Sequence, residues 1–135
     1  MDALSFHAYP NQATDPLDRG YRWPNAGFAD LGRIKQAVWD AFRGTAQATT
    51  VTGLRLHLDE VGWQVAIPSA SRRHYFGRES VRPTTERTQA KIYDRLIRSI
   101  ACDPSVRSLL LFGLIDEPNL DRWQAGLGQR HQVHG

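Results

Sequence analysis

The chain has 135 residues, 41% of them hydrophobic and 23% charged, with a net charge of +3 and a pI near 9.4. That length fits one domain with a core of its own, and the mixed composition excludes a disordered, collagen-like or repeat protein. The basic excess is small and interspersed with acids, its densest spot being Ser71-Arg72-Arg73-His74, so a nucleic-acid surface with interleaved aromatics is not expected.

No apolar run approaches a membrane span and no signal-peptide pattern follows Met1, so the expectation is a soluble chain whose compartment the sequence does not indicate. The single Cys102 rules out an intrachain disulfide.

The first expected element is a short strand from Ala3 to His7, followed by a loop rich in Pro, Gly and Asn from Pro10 to Gly27. Asp30 reads as the N-cap of a helix whose apolar positions are Leu31, Ile34, Val38, Ala41 and Phe42, stopped by Gly44. A second strand spans Leu54 to Asp59 and runs directly into Glu60, Val61, Gly62 and Trp63. A long polar excursion over 67–83 follows, of a length that is usually functional in a compact domain. The next helix starts at Thr84 or Thr85 and presents Tyr93, Leu96, Ile97 and Ile100, until Asp103-Pro104 ends it. Val106 to Ile115 contains Leu109-Leu110-Leu111-Phe112, an apolar run typical of a buried strand. A short final helix is expected over Leu120 to Leu127.

The order β-α-β-α-β-(α) predicts right-handed βαβ units in a parallel sheet. Three parallel strands cannot close a barrel and leave their edges open, so the fold class expected is α/β with about three βα units of a larger architecture.

Alternation along the second strand puts Leu54, Leu56, Leu58 and Glu60 on one face, and Arg55, His57 and Asp59 on the other. An acid at the end of an apolar face is costly unless it is hydrogen-bonded or meets a cationic reaction centre. Glu60 therefore reads either as a nucleophile for an anomeric carbon or as a strand-end acid capping the next turn. His7 and Tyr9 leave the first strand two residues apart, where a phenol can orient a carboxylate and an imidazole can bond a substrate hydroxyl. A packed strand-to-loop corner explains the same pair. Asp116 and Glu117 close the third strand, and Trp63 follows Glu60 closely enough to stack on a sugar. A metal site of His7, His57 and Asp59 is a further alternative, although no recognised zinc spacing is present.

Taken in order, the three strand ends resemble the last third of a clan A retaining glycoside hydrolase, a family of (β/α)8 barrels. Residues 2–10, DALSFHAYP, are similar to the sixth strand, which often ends in His-x-Tyr. Residues 56–63, LHLDEVGW, are similar to the seventh, whose terminal Glu is the nucleophile. Residues 111–117, LFGLIDE, with 123–127, WQAGL, resemble the eighth strand and closing helix.

The resemblance implies an incomplete TIM barrel over residues 1–127, with 128–135 as a tail without structure. It further implies Glu60 as nucleophile and Tyr9 as the residue that orients it. His7, Trp63 and Glu117 would contact a carbohydrate substrate, with no metal or other cofactor. The family's acid/base is a Glu after an Asn, and no Asn-Glu dipeptide occurs here. The chain is therefore expected to be inactive alone, its partner being the missing N-terminal part of the barrel. A non-catalytic α/β module binding carbohydrate or a protein partner is the main alternative, and a metal-dependent hydrolase the lesser one.

Overall fold

Strand β1 (Ala3–His7), strand β2 (Arg55–Val61) and strand β3 (Val106–Leu111) form one parallel sheet in the order β1-β2-β3. The structure is a computed structural model that describes residues 1–130. Helix α1 (Leu31–Phe42) connects β1 to β2, and helix α2 (Glu86–Ala101) connects β2 to β3. The protein is thus α/β, with two crossover helices.

Each helix ends where its sequence stops supporting it. Before α1, Asp30 forms no side-chain cap bond to the helix. Its carboxylate instead accepts from the backbone N–H groups of Tyr21 and Gly27, both at 3.0 Å, and pairs with Arg33 at 2.9 Å. The chain leaves α1 through Gly44, whose φ of +79° is open to glycine at little cost. Thr85 caps α2 by accepting from the Thr88 N–H at 3.1 Å.

The two faces of the sheet differ as alternation requires. Leu54, Leu56 and Leu58 are buried. The core gathers Leu58, Val61, Trp63 and Ala8 with Leu31 of α1 and Ile92, Tyr93 and Leu96 of α2. Ile97, expected on that apolar face, is instead about half exposed.

The opposite face is polar and uncovered among the described residues. Ser5, His7 and Arg55 are exposed, while His57, Asp59 and Ser108 are half-buried. Cross-strand pairs satisfy these side chains: Ser5 Oγ donates to Asp59 Oδ2, and His57 Nδ1 lies 2.7 Å from Ser108 Oγ. The charged positions of β2 therefore belong to a wet face, which explains their presence in a parallel strand.

The final helix expected over Leu120–Leu127 does not form. Residues 126–128 instead lie parallel beside 113–116, with Asp116 N–H donating to the Gly128 carbonyl and Gly128 N–H to the Leu114 carbonyl, both at 3.0 Å. An eight-residue segment is too short to be helical on its own strength, and glycine at Gly126 and Gly128 weakens a helix further. Fully buried Gln124 is also consumed in the loop, donating to the carbonyls of Glu117 and Asn119 and accepting from Gln64. Among the described residues, the third unit is thus a strand without its helix.

At the start of the expected unstructured tail, Gly128 bridges to Ile115, Gln129 donates to Glu86, and Arg130 donates to the Tyr75 hydroxyl and the Asp116 carbonyl. The remainder of that tail, 131–135, lies outside the described residues.

Candidate active site

The mouth of β2 departs from simple alternation. Between the pairs Ser5↔His57 and His7↔Glu60, β1 advances two residues while β2 advances three. On the other side, β2 again takes three residues from Leu58 to Val61 while β3 takes two from Leu109 to Leu111. One extra residue of β2 is therefore accommodated at Asp59-Glu60, against both neighbours. Such a bulge re-aims side chains, and bulges concentrate beside active sites.

The bulge brings both acids to one histidine. His7 Nδ1 lies 3.4 Å from Glu60 Oε2, and His7 Nε2 lies 3.5 Å from Asp59 Oδ1. Tyr9 Oη donates to the same Glu60 oxygen at 3.3 Å. The Glu60 side chain keeps 40% of its surface open and that of His7 56%, so the group is held yet reachable. Burial raises the Tyr9 phenol well above its ordinary value, and the Glu60 charge adds to the shift. Tyr9 accordingly keeps its proton, and donates to Glu60, well into the alkaline range. The Ser5 hydrogen bond holds Asp59 below its usual value, with His7 and His57 contributing.

Three of the expected site residues, Glu60, Tyr9 and His7, are thus together. Trp63 is not with them. Its side chain is 1% exposed, its indole N–H donates to the Asp15 carbonyl at 2.9 Å, and its ring meets Tyr93 edge-on. It ties the loop after β1 into the core and offers no open face to a sugar.

Glu117 is exposed and contributes its carbonyl to Gln124; no bond joins it to Glu60, His7 or Tyr9. Its neighbour Asp116 is a structural acid. Almost fully buried, it accepts from the Gly126 N–H at 2.9 Å and from the Tyr75 hydroxyl at 3.3 Å, and burial raises its carboxyl above the ordinary value.

Two aromatic residues that the sequence had placed elsewhere stand at the site. Trp123, 44% exposed, lies with its ring centroid 5.4 Å from that of Tyr9 and tilted by 33°. Phe112 meets the Tyr9 ring edge-on at 6.2 Å. Gly62 makes room for this cluster, since a Cβ there would stand 3.0 Å from Ala125 Cβ and 3.4 Å from Tyr9 Cε1.

Among the described residues, no three His, Cys, Asp or Glu side chains come together as a metal-holding group. The metal reading's His57 is engaged by Ser108. A groove of ≈ 510 Å³ lies at the other end of the sheet, lined by Lys35, Trp39, Val51, Asp103 and Pro104. No helix among the described residues is long and apolar enough to cross a membrane. No family model, curated protein or solved structure matches this chain.

Proposed function

We propose that this chain carries the nucleophile half of a retaining O-glycosyl hydrolase site, on a sheet that forms part of a (β/α)8 barrel. The observation that carries the reading is Glu60 at the C-terminal mouth of the middle strand. It is bonded by Tyr9, faced by His7 and open toward the uncovered side of the sheet. Active sites of parallel α/β folds collect at that end of their strands.

In this reading one Glu60 oxygen attacks the anomeric carbon and forms a glycosyl ester, which water later cleaves. Tyr9 fixes the attacking carboxylate, and the exposed Trp123 indole over Tyr9 gives the sugar an apolar wall. Retaining hydrolysis also needs a second carboxyl about 5–5.5 Å away to protonate the leaving group. That group belongs to the strands which would continue the sheet, so the chain alone does not turn over ordinary glycosides.

A second reading is a binding module without catalysis. It is favoured by the same Trp123–Tyr9 face, which stacks a sugar whether or not an acid is supplied.

The test uses 2-deoxy-2-fluoroglycosides with an activated leaving group, which need no acid assistance. The chain is treated alone and after assembly with a (β/α)5 fragment of a clan A enzyme. A single glycosyl adduct mapped to Glu60, absent in Glu60→Gln, is the expected result. An adduct on another carboxylate, or none in either sample, removes Glu60 from the role and leaves the binding module.

A further inference from the structure

We propose that Asp59 is the positioning residue of this site, acting on Glu60 through His7. The inference rests, for its functional meaning, on the reading of Glu60 as nucleophile. The geometry behind it is independent of any sugar.

Asp59 has two oxygens in different situations. Oδ2 is anchored by the Ser5 hydroxyl on the adjacent strand. Oδ1 is enclosed and accepts no hydrogen bond, and His7 Nε2 stands 3.5 Å from it. The other ring nitrogen, Nδ1, faces Glu60 Oε2 at 3.4 Å. Neither contact is a hydrogen bond, but the Asp59 carboxylate beside Nε2 favours the ring orientation that turns Nδ1 toward Glu60. The arrangement is a relay of four side chains, Ser5, Asp59, His7 and Glu60, crossing three times between β1 and β2.

The bulge is what makes the relay possible. With unbroken alternation, Asp59 and Glu60 would point to opposite faces and no single ring could meet both. The extra residue in β2 places His7 opposite Glu60 in the register while leaving Asp59 within reach of it. The other polar neighbours of this group are accounted for: Tyr9 bonds Glu60, and His57, two residues before Asp59, is turned to Ser108 on the far strand.

When the ring is protonated at both nitrogens, this orientation gives Glu60 a donor of fixed direction at Nδ1. A carboxylate that must attack along one line benefits from two fixed partners, Tyr9 and His7, in place of one fixed and one rotating. If Asp59 served only to brace Ser5 across the strands, the His7 ring would be indifferent to it.

The experiment is a long-range proton–nitrogen NMR spectrum of the histidine rings in the whole chain, with His7 assigned by its absence in His7→Gln. In the wild type, the protonated ring of His7 carries N–H at both nitrogens, and its neutral form keeps the proton on Nε2, facing Asp59. Asp59→Asn keeps the size of the side chain but removes the carboxylate. A charged acceptor holds an N–H more firmly than a neutral one, and partial exposure weakens the difference. The ratio of ring forms is therefore expected to move about threefold to tenfold in Asp59→Asn.

An unchanged His7 spectrum in Asp59→Asn overturns the proposal. Amide protection in β2 reports whether that variant keeps its fold. If it does not, Ser5→Ala decides instead: freeing Oδ2 shifts His7 in the same direction, and no shift overturns the proposal. Because no sugar enters this measurement, failure of Glu60 to be labelled overturns the glycosidase reading and leaves the relay standing.

Discussion

Tyr9 shows most directly how one residue links packing to chemistry. Its ring is held between Phe112 and Trp123, while its hydroxyl donates to Glu60. Burial first, and the Glu60 charge second, push the phenol upward. The folded state therefore binds this proton more tightly than the unfolded chain, whose tyrosines titrate near 10. Stability from this group is fully present below that pH and is lost as pH rises above it. Denaturant titrations at about pH 8 and about pH 11 should show the wild type losing more stability across that interval than Tyr9→Phe. An equal loss would assign the alkaline effect to Tyr21, Tyr75 and Tyr93, which burial also raises. Sequence made His7, Tyr9 and Glu60 legible as residues, because each sits at a strand end. It misplaced Trp63, whose proximity in the chain to Glu60 says nothing about which way its ring turns.

At the scale of elements, the strands and both crossover helices were readable from periodicity and stop signals. Gly44 and Asp103-Pro104 mark helix ends that the structure also has. The bulge at Asp59-Glu60 left no such mark. It is a property of register against two other strands, and nothing in the order Leu-His-Leu-Asp-Glu-Val distinguishes it from a regular strand. The segment after β3 failed for a related reason: 120–127 has mixed polarity, and its conformation is decided by distant partners, Gln64 and Asp116. Gly126 is the position that tests this account. A Cβ there would stand 2.7 Å from the Asp116 nitrogen and 2.8 Å from the Ile115 carbonyl carbon, both backbone atoms that cannot swing aside. Gly126→Ala should cost about 1–3 kcal/mol by chemical denaturation, the range for overpacking. It should also weaken the Gly126 N–H bond that Asp116 accepts. In a helix the same change would stabilise, so the sign of the effect separates the two conformations.

For the whole molecule, the decisive contrast is between a sheet face sealed by two helices and a face that has nothing over it among the described residues. β2 is paired on both sides, whereas among the described residues β1 and β3 each pair only with β2, so neither outer edge has a strand partner there. Leu110, Leu114, Ile115 and Leu127 are more than half exposed along and beyond β3. Open parallel edges flanked by exposed apolar side chains recruit partners or aggregate. A single chain could be read as far as its own three strands, but the pattern of one sequence does not say what pairs with an edge. Amide exchange on the dilute chain provides the measurement. Amides of Leu56 and Leu58, in the doubly paired strand, should exchange slowest, while the outward-facing N–H groups of β1 and β3 exchange faster. An apolar dye should bind and should be displaced when Leu114 and Ile115 are both changed to Ser. Uniform protection of all three strands in a monomer that binds no dye would show the edges to be covered within the chain, and would remove the ground for placing this sheet inside a larger barrel.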